Sequence, residues 1–194
     1  SYDMLGEAAR TDKDATRYHL SYSRAISAIA TACTHDEIAK NPGISVKLSA
    51  LHARYEVAQR DQVMEVLVPR LRSLALLAKS ARMGLNIDAE EADRLSLSLD
   101  VSETVLSEPA LAGWDGFGVV VQAYGQRAGY VLDYLYGLAT RLDRRIMVRL
   151  VKGAYWDTEI KAAQVEGIDG FPVFTTKPAT DVSYIANARK LLSM

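Results

Sequence analysis

Cysteine is nearly absent from this sequence, because Cys33 is the single one among 194 residues. One cysteine can form neither an intrachain disulfide nor a cysteine-rich metal site. Long apolar runs are also missing: no stretch approaches the roughly 18 apolar residues that span a bilayer, and no signal peptide is visible at the start. These absences favour a cytoplasmic protein.

An excess of charge of either sign is missing too, since the formal net charge is -1. A chain with this balance has no broad electrostatic attraction for nucleic acid. Signature motifs are lacking as well: no G-x-G-x-x-G follows a predicted strand, and there is no G-x-x-x-x-G-K-[ST] loop, H-E-x-x-H helix or EF-hand loop. The three histidines are isolated from one another. The sequence therefore predicts no Rossmann or P-loop nucleotide site, no metal site and no nucleic-acid partner.

What the sequence does contain is an alternation of short β-rich runs with longer amphipathic runs, in a composition of 49% hydrophobic and 24% charged residues. Such alternation is typical of repeated βα units around a parallel sheet. The predicted strands are 1–5, 44–49, 85–89, 117–123, 146–151 and 172–175. The predicted helices are 12–32, 61–82, 92–106, 129–142, 158–166 and 181–192.

Six consecutive βα units fit either an open doubly wound sheet or an eight-stranded barrel without its last two units. The second predicted strand alternates large apolar residues with Ser45, Lys47 and Ser49, and the third alternates them with Asn86 and Asp88. A sheet covered by helices on both sides needs apolar residues on both faces. One polar face fits a barrel lumen better. We therefore predict an α/β fold, a distorted (β/α)8 barrel with about six of its eight units, as one partial domain over 1–194.

Four predicted strands end in polar side chains, namely Lys47, Asp88, Gln122 and Arg149. In a barrel these groups converge at the C-terminal mouth, where barrel enzymes hold their catalytic groups. Isolated charges in an apolar core cost several kcal/mol, so this arrangement predicts a site. A purely structural alternative stays open, in which Lys47 and Asp88 pair, Gln122 bridges them and Arg149 pairs with an acid elsewhere.

The segment after Arg149 adds further candidates. It places a cation, Lys152, a flexible Gly153 and two aromatic side chains, Tyr155 and Trp156, on a loop above the mouth. Cations suit the diphosphate of a flavin dinucleotide, aromatic walls suit its ring, and a positive group stabilises the reduced ring. In the alternative interpretation, Tyr155 and Trp156 only cap the barrel.

Three further residues near the predicted mouth are His52, Glu90 and Glu91. His52 stands just beyond the second predicted strand, at the mouth, where a role in the site is an option. Glu90 and Glu91 are expected to be solvated at a helix start, where the helix dipole favours acidic residues.

Four segments are similar to one known family: SYDMLGEAA at 1–9, GISVKLSALH at 43–52, NIDAEEADR at 86–94 and RLVKGAYWD at 149–157. In this order they closely resemble the proline dehydrogenase domain of the bacterial bifunctional proline utilization A flavoproteins, and the resemblance runs over essentially the whole chain. Two departures are visible. Ala53 stands where the family usually has proline, and the family's last two βα units, with paired arginines that grip the substrate carboxylate, have no counterpart here.

The resemblance implies an FAD enzyme that oxidises L-proline to Δ1-pyrroline-5-carboxylate by hydride transfer from proline C5 to flavin N5, with electrons passed on to a quinone. The catalytic residues that it implies are Arg149 beside N5, Lys47 at the proline carboxylate, Tyr155 as a wall of the proline pocket, and Asp88 as a buried acid next to them. Lys47, Asp88 and Tyr155 bind the substrate in this mapping. The implied cofactor-binding residues are Arg149, Gln122, Asp88, Val151, Lys152, Gly153, Ala154, Trp156, Thr175, Thr176 and Lys177.

Two other functions remain open at this point. One is a barrel lyase that uses Lys47 as a Schiff-base nucleophile, since a desolvated lysine at a strand end suits that chemistry. The other is a non-catalytic fragment of a larger assembly. The resemblance also implies that any membrane contact is peripheral, at the inner membrane and through the parent protein.

Overall fold

The computed structural model describes residues 1–4 and 6–194 and contains one parallel sheet with helices between its strands. The strands are β1 (Tyr2–Asp3), β2 (Gly43–Val46), β3 (Gly84–Ile87), β4 (Phe117–Gln122) and β5 (Met147–Val151). The helices are α1 (Asp12–Ala30), α2 (Arg60–Ser80), α3 (Leu95–Leu106), α4 (Ala128–Arg141), α5 (Trp156–Glu166) and α6 (Lys177–Leu192). The predicted first strand, 1–5, is present as β1, and its last residue, Leu5, lies outside the described residues.

The order of the strands supports the predicted barrel. They lie side by side as β1-β2-β3-β4-β5, all parallel, with each strand next to its neighbour in sequence. A doubly wound sheet reverses its strand order partway, whereas a barrel keeps sequence order around its circumference. The (β/α) barrel prediction is therefore confirmed, with the described part forming an arc of five strands.

The two faces of the sheet differ as the alternation predicts. On the helix side, Ile44, Leu85 and Phe117 are fully buried in the core that the helices cover. The other face starts with the paired residues Ser45, Asn86 and Gly118 and continues upward to the predicted polar strand ends. Because successive side chains of a strand point to opposite faces, these polar groups lie inside the barrel.

The helices form where apolar residues recur at helical spacing. In α4, the buried side chains of Val131, Leu135 and Leu138 recur every three or four residues, so they share one face. Helix α1 begins after Thr11, whose hydroxyl accepts a hydrogen bond from the N–H of Asp14 at 3.1 Å and so caps the first turn. No helix in the described part of the chain is long and apolar enough to cross a membrane.

The predicted sixth strand, 172–175, is wrong. Only Val173 forms a bridge, and it pairs antiparallel with Gly125 beyond the end of β4. Two backbone bonds hold the segment there: the N–H of Gln126 donates to the carbonyl of Pro172, and the N–H of Phe174 donates to that of Tyr124. These contacts hold the segment beside the chain that follows β4 instead of along β5.

Several helices start earlier than predicted. Helix α5 begins at Trp156 instead of 158, and α6 begins at Lys177 instead of 181. Pro178 lies in the first turn of α6, where the missing N–H costs nothing because those amides have no partner within the helix. The predicted helix 92–106 is a short 3-10 turn, Ala92–Arg94, followed by α3. These shifts bring Lys177 and Trp156 to helix starts at the mouth.

Candidate active site

Asp88 is the centre of the candidate site. Its carboxylate is 5% exposed and accepts hydrogen bonds from the Lys47 ammonium at 2.9 Å and from the Arg149 guanidinium at 2.5 Å. Arg149 also donates to the buried hydroxyl of Ser45 at 3.3 Å. Three polar strand ends therefore meet, as the sequence predicts. The part of the structural alternative that pairs Arg149 with an acid elsewhere is wrong, because Arg149 shares Asp88 with Lys47.

Lys47 is held in its charged form. Burial opposes protonation of its amine, but the hydrogen bond and the charge of Asp88 outweigh that effect and raise the pKa of Lys47 above its ordinary value. Glu7 lies 3.8 Å from the ammonium but is half exposed, so solvent weakens its influence. A Schiff-base nucleophile must be a neutral amine, and this environment works against that role. An ammonium at this depth suits an anionic ligand group.

Gln122 does not bridge Lys47 and Asp88, so that part of the structural alternative is also wrong. Its Nε2 donates to the carbonyl of Glu90 at 2.9 Å, and its Oε1 accepts from the N–H of Ala154 at 3.1 Å. The side chain thus ties the loop after β3 to the loop after β5. It holds two of the mouth loops at a fixed separation.

Glu90 is buried, contrary to the expectation of a solvated helix start. Its side chain is 6% exposed, and its Oε1 accepts from the N–H of Ser49 at 3.0 Å. Burial raises the pKa of Glu90 above its ordinary value, and the bond from Ser49 opposes the rise. Because α3 starts only at Leu95, Glu90 stays in a loop, where its carboxylate reaches a backbone amide of the β2 end.

A second cluster of charges lies beyond the mouth, on the side of α6. The ammonium of Lys152 is 2.5 Å from Oδ1 of Asp181, and that of Lys177 is 2.7 Å from Oδ2. The hydrogen bonds from Lys152 and Lys177 hold the pKa of Asp181 below its usual value. Two cations that are 25 positions apart in sequence are thereby brought to one place, since α6 folds back over the end of β5.

Five of the predicted cofactor residues share one cleft. Its wall also contains Tyr124 and Thr180, which the sequence did not single out. The indole N–H of Trp156, which is 40% exposed, donates to the carbonyl of Phe174 at 2.8 Å and fixes the ring at the cleft. The predicted residues in the wall are Lys152, Gly153, Trp156, Thr175 and Lys177.

Three further predicted cofactor residues, Val151, Ala154 and Thr176, form backbone hydrogen bonds beside the cleft. The carbonyl of Val151 accepts from the N–H of Ala123 at 2.7 Å, and the N–H of Ala154 binds Gln122. Thr176 is the residue before α6, and its carbonyl accepts from the N–H of Thr180 at 3.3 Å. These residues shape the cleft without lining it.

Tyr155 lies at the end of the loop after β5, near the charges of Lys47 and Glu7. Its N–H donates to the hydroxyl of Tyr124 at 3.3 Å. Burial raises the pKa of Tyr155 to about 12, with Glu7 adding to the rise and Lys47 opposing it. The phenol is therefore neutral at physiological pH and close to the Lys47 ammonium, as a pocket wall requires.

His52 takes no part in this arrangement. Its ring is 7% exposed, and Nδ1 accepts from the N–H of Arg54 at 3.1 Å, which fastens the turn after β2. Burial lowers its pKa, so the ring is neutral at physiological pH. Within the described residues, no group of three His, Cys, Asp or Glu side chains could hold a metal ion.

Sequence reasoning did not assign five residues of this region to the site: Ser45, Glu90, Tyr124, Thr180 and Asp181. Ser45 had a usable signal, because it precedes Lys47 by two positions on the same strand face. Asp181 also had one, because it follows Lys177 by four positions, a spacing at which opposite charges meet on a helix. Glu90 and Tyr124 had none, since their partners come from distant segments.

Comparison with known proteins identifies the family of this chain. The family model described as proline dehydrogenase matches residues 1–194. The chain belongs to the proline dehydrogenase family. Members of this family are flavin-dependent enzymes. A curated relative, the bifunctional protein PutA of Klebsiella aerogenes, is 61% identical over 194 residues, which are 100% of this chain and 15% of the relative.

Solved structures agree with this assignment. Proline utilization A of Bradyrhizobium japonicum superposes with a TM-score of 0.98 at 56% identity, over 100% of this chain and 20% of that chain. Proline utilization A of Bdellovibrio bacteriovorus, solved after inactivation by N-propargylglycine, gives a TM-score of 0.90 at 31% identity, over 98% of this chain and 21% of that one. The chain thus spans about a fifth or less of the length of these relatives.

Proposed function

We propose that this chain is part of one proline dehydrogenase barrel domain that oxidises L-proline to Δ1-pyrroline-5-carboxylate with FAD as its cofactor. The observation that carries the proposal is the buried carboxylate of Asp88, held between Lys47 and Arg149 at the strand ends, beside a cleft with two lysines. When bound, FAD supplies the acceptor, at flavin N5, for the hydride of proline C5.

The substrate side of the site fits a small amino acid. The ammonium of Lys47 supplies a positive charge for the proline carboxylate, and the neutral ring of Tyr155 supplies a wall. A carboxylate clamp orients the substrate, and orientation of this kind contributes much of the rate acceleration in enzymes. Asp88 keeps Lys47 protonated and in place.

The cofactor side fits a flavin dinucleotide. Lys152 and Lys177 lie in one cleft wall and share the single carboxylate of Asp181, which leaves a net positive charge for a diphosphate, and Trp156 offers an aromatic wall. Thr175 adds a hydroxyl in the same wall. Arg149 lies outside this wall and next to Asp88, and its fixed positive charge would stabilise negative charge on a reduced ring.

The parent protein completes the function. Electrons pass on to a quinone, and contact with the inner membrane is peripheral, from a cytoplasmic location. One relative is named a bifunctional protein and this chain covers 15% of its length, so we assign only the proline dehydrogenase activity to these residues. No nucleic-acid contact is assigned to this domain. The charged state of Lys47 argues against the Schiff-base lyase. The match to the proline dehydrogenase family argues against a non-catalytic fragment.

The decisive experiment uses the purified protein that contains this chain. It should be yellow with bound FAD, and anaerobic addition of L-proline should bleach the flavin absorbance. Pyrrolidine, which has the same ring without the carboxylate, is the matched control and should bleach it far more slowly if Lys47 holds the carboxylate. N-propargylglycine should inactivate the enzyme. Protein that takes up no FAD, or flavin that L-proline leaves oxidised, would contradict the proposal.

A further inference from the structure

Tyr124 contacts the β5–α5 loop, residues 152–155, through both its backbone and its side chain. Its backbone N–H donates to the carbonyl of Lys152 at 2.7 Å, which extends the β4–β5 ladder past the end of β5. Its hydroxyl accepts a hydrogen bond from the N–H of Tyr155 at 3.3 Å. Both ends of this short loop are therefore bonded to one residue, which is 4% exposed.

The ring of Tyr124 also lies against Gly153 in the middle of the loop. A Cβ atom at Gly153 would lie 2.4 to 2.5 Å from the ring atoms Cδ2, Cε2 and Cγ, which is too close for any side chain. The backbone of Gly153 has a φ of 142°, a conformation that residues other than glycine rarely adopt. The loop can approach the ring only because glycine stands at this position.

A third connection runs from Tyr124 to Trp156 through Phe174. The carbonyl of Tyr124 accepts from the N–H of Phe174 at 2.8 Å, and the carbonyl of Phe174 accepts from the indole N–H of Trp156 at 2.8 Å. The position of the Trp156 ring is thus linked to that of Tyr124 through one intervening residue. Hydrogen bonds therefore connect Tyr124 directly to Lys152 and Tyr155 and, through Phe174, to Trp156. The proposed function assigns substrate or cofactor contacts to all three of these residues.

We propose that Tyr124 is a positioning residue, which sets the conformation of the β5–α5 loop so that Lys152, Tyr155 and Trp156 face the cofactor and the substrate. The inference rests on the proposed function for what these side chains bind, but not for how the loop is held. The loop has no helix or strand of its own. Loss of the hydroxyl leaves the N–H of Tyr155 without its partner, so the loop should open more often.

The test compares Tyr124→Phe with Tyr134→Phe in the full protein. Tyr134 is a matched control because its hydroxyl also forms a hydrogen bond, with Glu103, on the outer helix α4. In the FAD-free protein, amide hydrogen exchange of the loop should be faster in Tyr124→Phe and unchanged in Tyr134→Phe. In the holoenzyme, the Kd of a proline analogue that cannot be oxidised should rise about fivefold in Tyr124→Phe, as expected for one lost hydrogen bond.

A second pair of variants tests the packing of the ring. Gly153→Ala should raise the Kd of FAD about tenfold or more, because the loop must move away from Tyr124. Gly167→Ala is the control: Gly167 also has a positive φ, of 66°, but nothing lies within 4 Å of a Cβ placed there. It should bind FAD as the wild type does.

The outcomes separate this inference from the proposed function. Wild-type protein that binds no FAD contradicts the proposed function, whereas the exchange experiment still decides the role of Tyr124. Loop exchange in Tyr124→Phe that equals the wild type would overturn the inference, and so would an unchanged Kd of the analogue with only a Tm loss like that of Tyr134→Phe. Equal FAD affinity of Gly153→Ala and Gly167→Ala would also overturn it.

Discussion

Lys47 and Arg149 bind opposite oxygens of one carboxylate: the ammonium lies 2.9 Å from Oδ2 of Asp88, and the guanidinium lies 2.5 Å from Oδ1. The two cations come from the ends of β2 and β5, which are not neighbours in the sheet. A single buried acid thus faces two positive charges from opposite sides of the arc. Two cations against one acid leave a net positive charge at the mouth, which suits a further carboxylate.

Lys47→Ala should weaken substrate binding much more than cofactor binding. The variant removes the ammonium assigned to the proline carboxylate, so the Kd of an unoxidisable, carboxylate-bearing proline analogue should rise about tenfold or more. Titration of the flavin absorbance with the analogue measures this Kd. Lys40→Ala is the control, because Lys40 forms an exposed ion pair with Glu37. An unchanged affinity in Lys47→Ala would remove this residue from the pocket.

Asp88→Asn should destabilise the fold. The variant leaves two cations without the buried charge that they share, and we expect the free energy of unfolding to fall by about 2 to 3 kcal/mol. Urea denaturation measures the change. Asp133→Asn is the matched control, since Asp133 is 55% exposed and pairs with Lys190 at 2.6 Å, so its loss should cost less than about 1 kcal/mol. Similar losses in both variants would show that Asp88 is no more important to stability than a surface acid.

Glu90→Gln should change how stability depends on pH. The pKa of Glu90 is raised in the folded state by burial, so folding favours its protonated form. That contribution is fully present below the unfolded pKa of about 4.3 and is lost as pH rises through the folded pKa. Glutamine cannot titrate and can still accept from Ser49. The stability of the variant relative to wild type should therefore increase as the pH rises from 4 towards neutrality.

Urea denaturation of both proteins at several pH values in this range tests the Glu90 prediction. Glu37→Gln is the control, because the side chain of Glu37 is 68% exposed. A stability difference between Glu90→Gln and wild type that does not vary with pH would show that the buried carboxyl titrates normally.

Lys152→Ala should weaken FAD binding through the diphosphate. Loss of one charged contact should raise the Kd of FAD about tenfold, and Lys177→Ala should act in the same direction. Riboflavin has the same ring but no diphosphate, so its affinity should stay at the wild-type value. Lys161→Ala, on the exposed side of α5, is the control. Fluorescence titration measures each Kd, and a parallel loss for riboflavin and FAD would disprove the assignment to the diphosphate.

The sequence predicted five strands of the sheet and the meeting of three polar strand ends. Alternation along β2 and β3 placed Lys47 and Asp88 on the inner face, and the apolar run up to Arg149 placed that residue at the end of β5. Gln122 was located correctly, but its partners were not: it binds Glu90 and Ala154. A strand's period fixes the face on which a side chain lies, but it does not say what lies opposite.

The sequence failed where a segment's conformation depends on distant partners. Residues 172–175 have a strand-like composition, yet Pro172 and its neighbours bond to the backbone near Tyr124. Glu90 has the position of a helix-start acid, yet its partner is the amide of Ser49, 41 positions earlier. Neither partner is visible in the local pattern of residues.

The sequence by itself determined the βα repeat, the polar inner face and the family, because side-chain periodicity and ordered motifs are local properties of the chain. Only the tertiary structure decided that Arg149 shares Asp88 with Lys47, that Lys152 and Lys177 meet at Asp181, and that Tyr124 fastens the β5–α5 loop. These relationships depend on how helices and loops from separate units pack across the barrel mouth. That packing is set by the whole core, so no single segment encodes it.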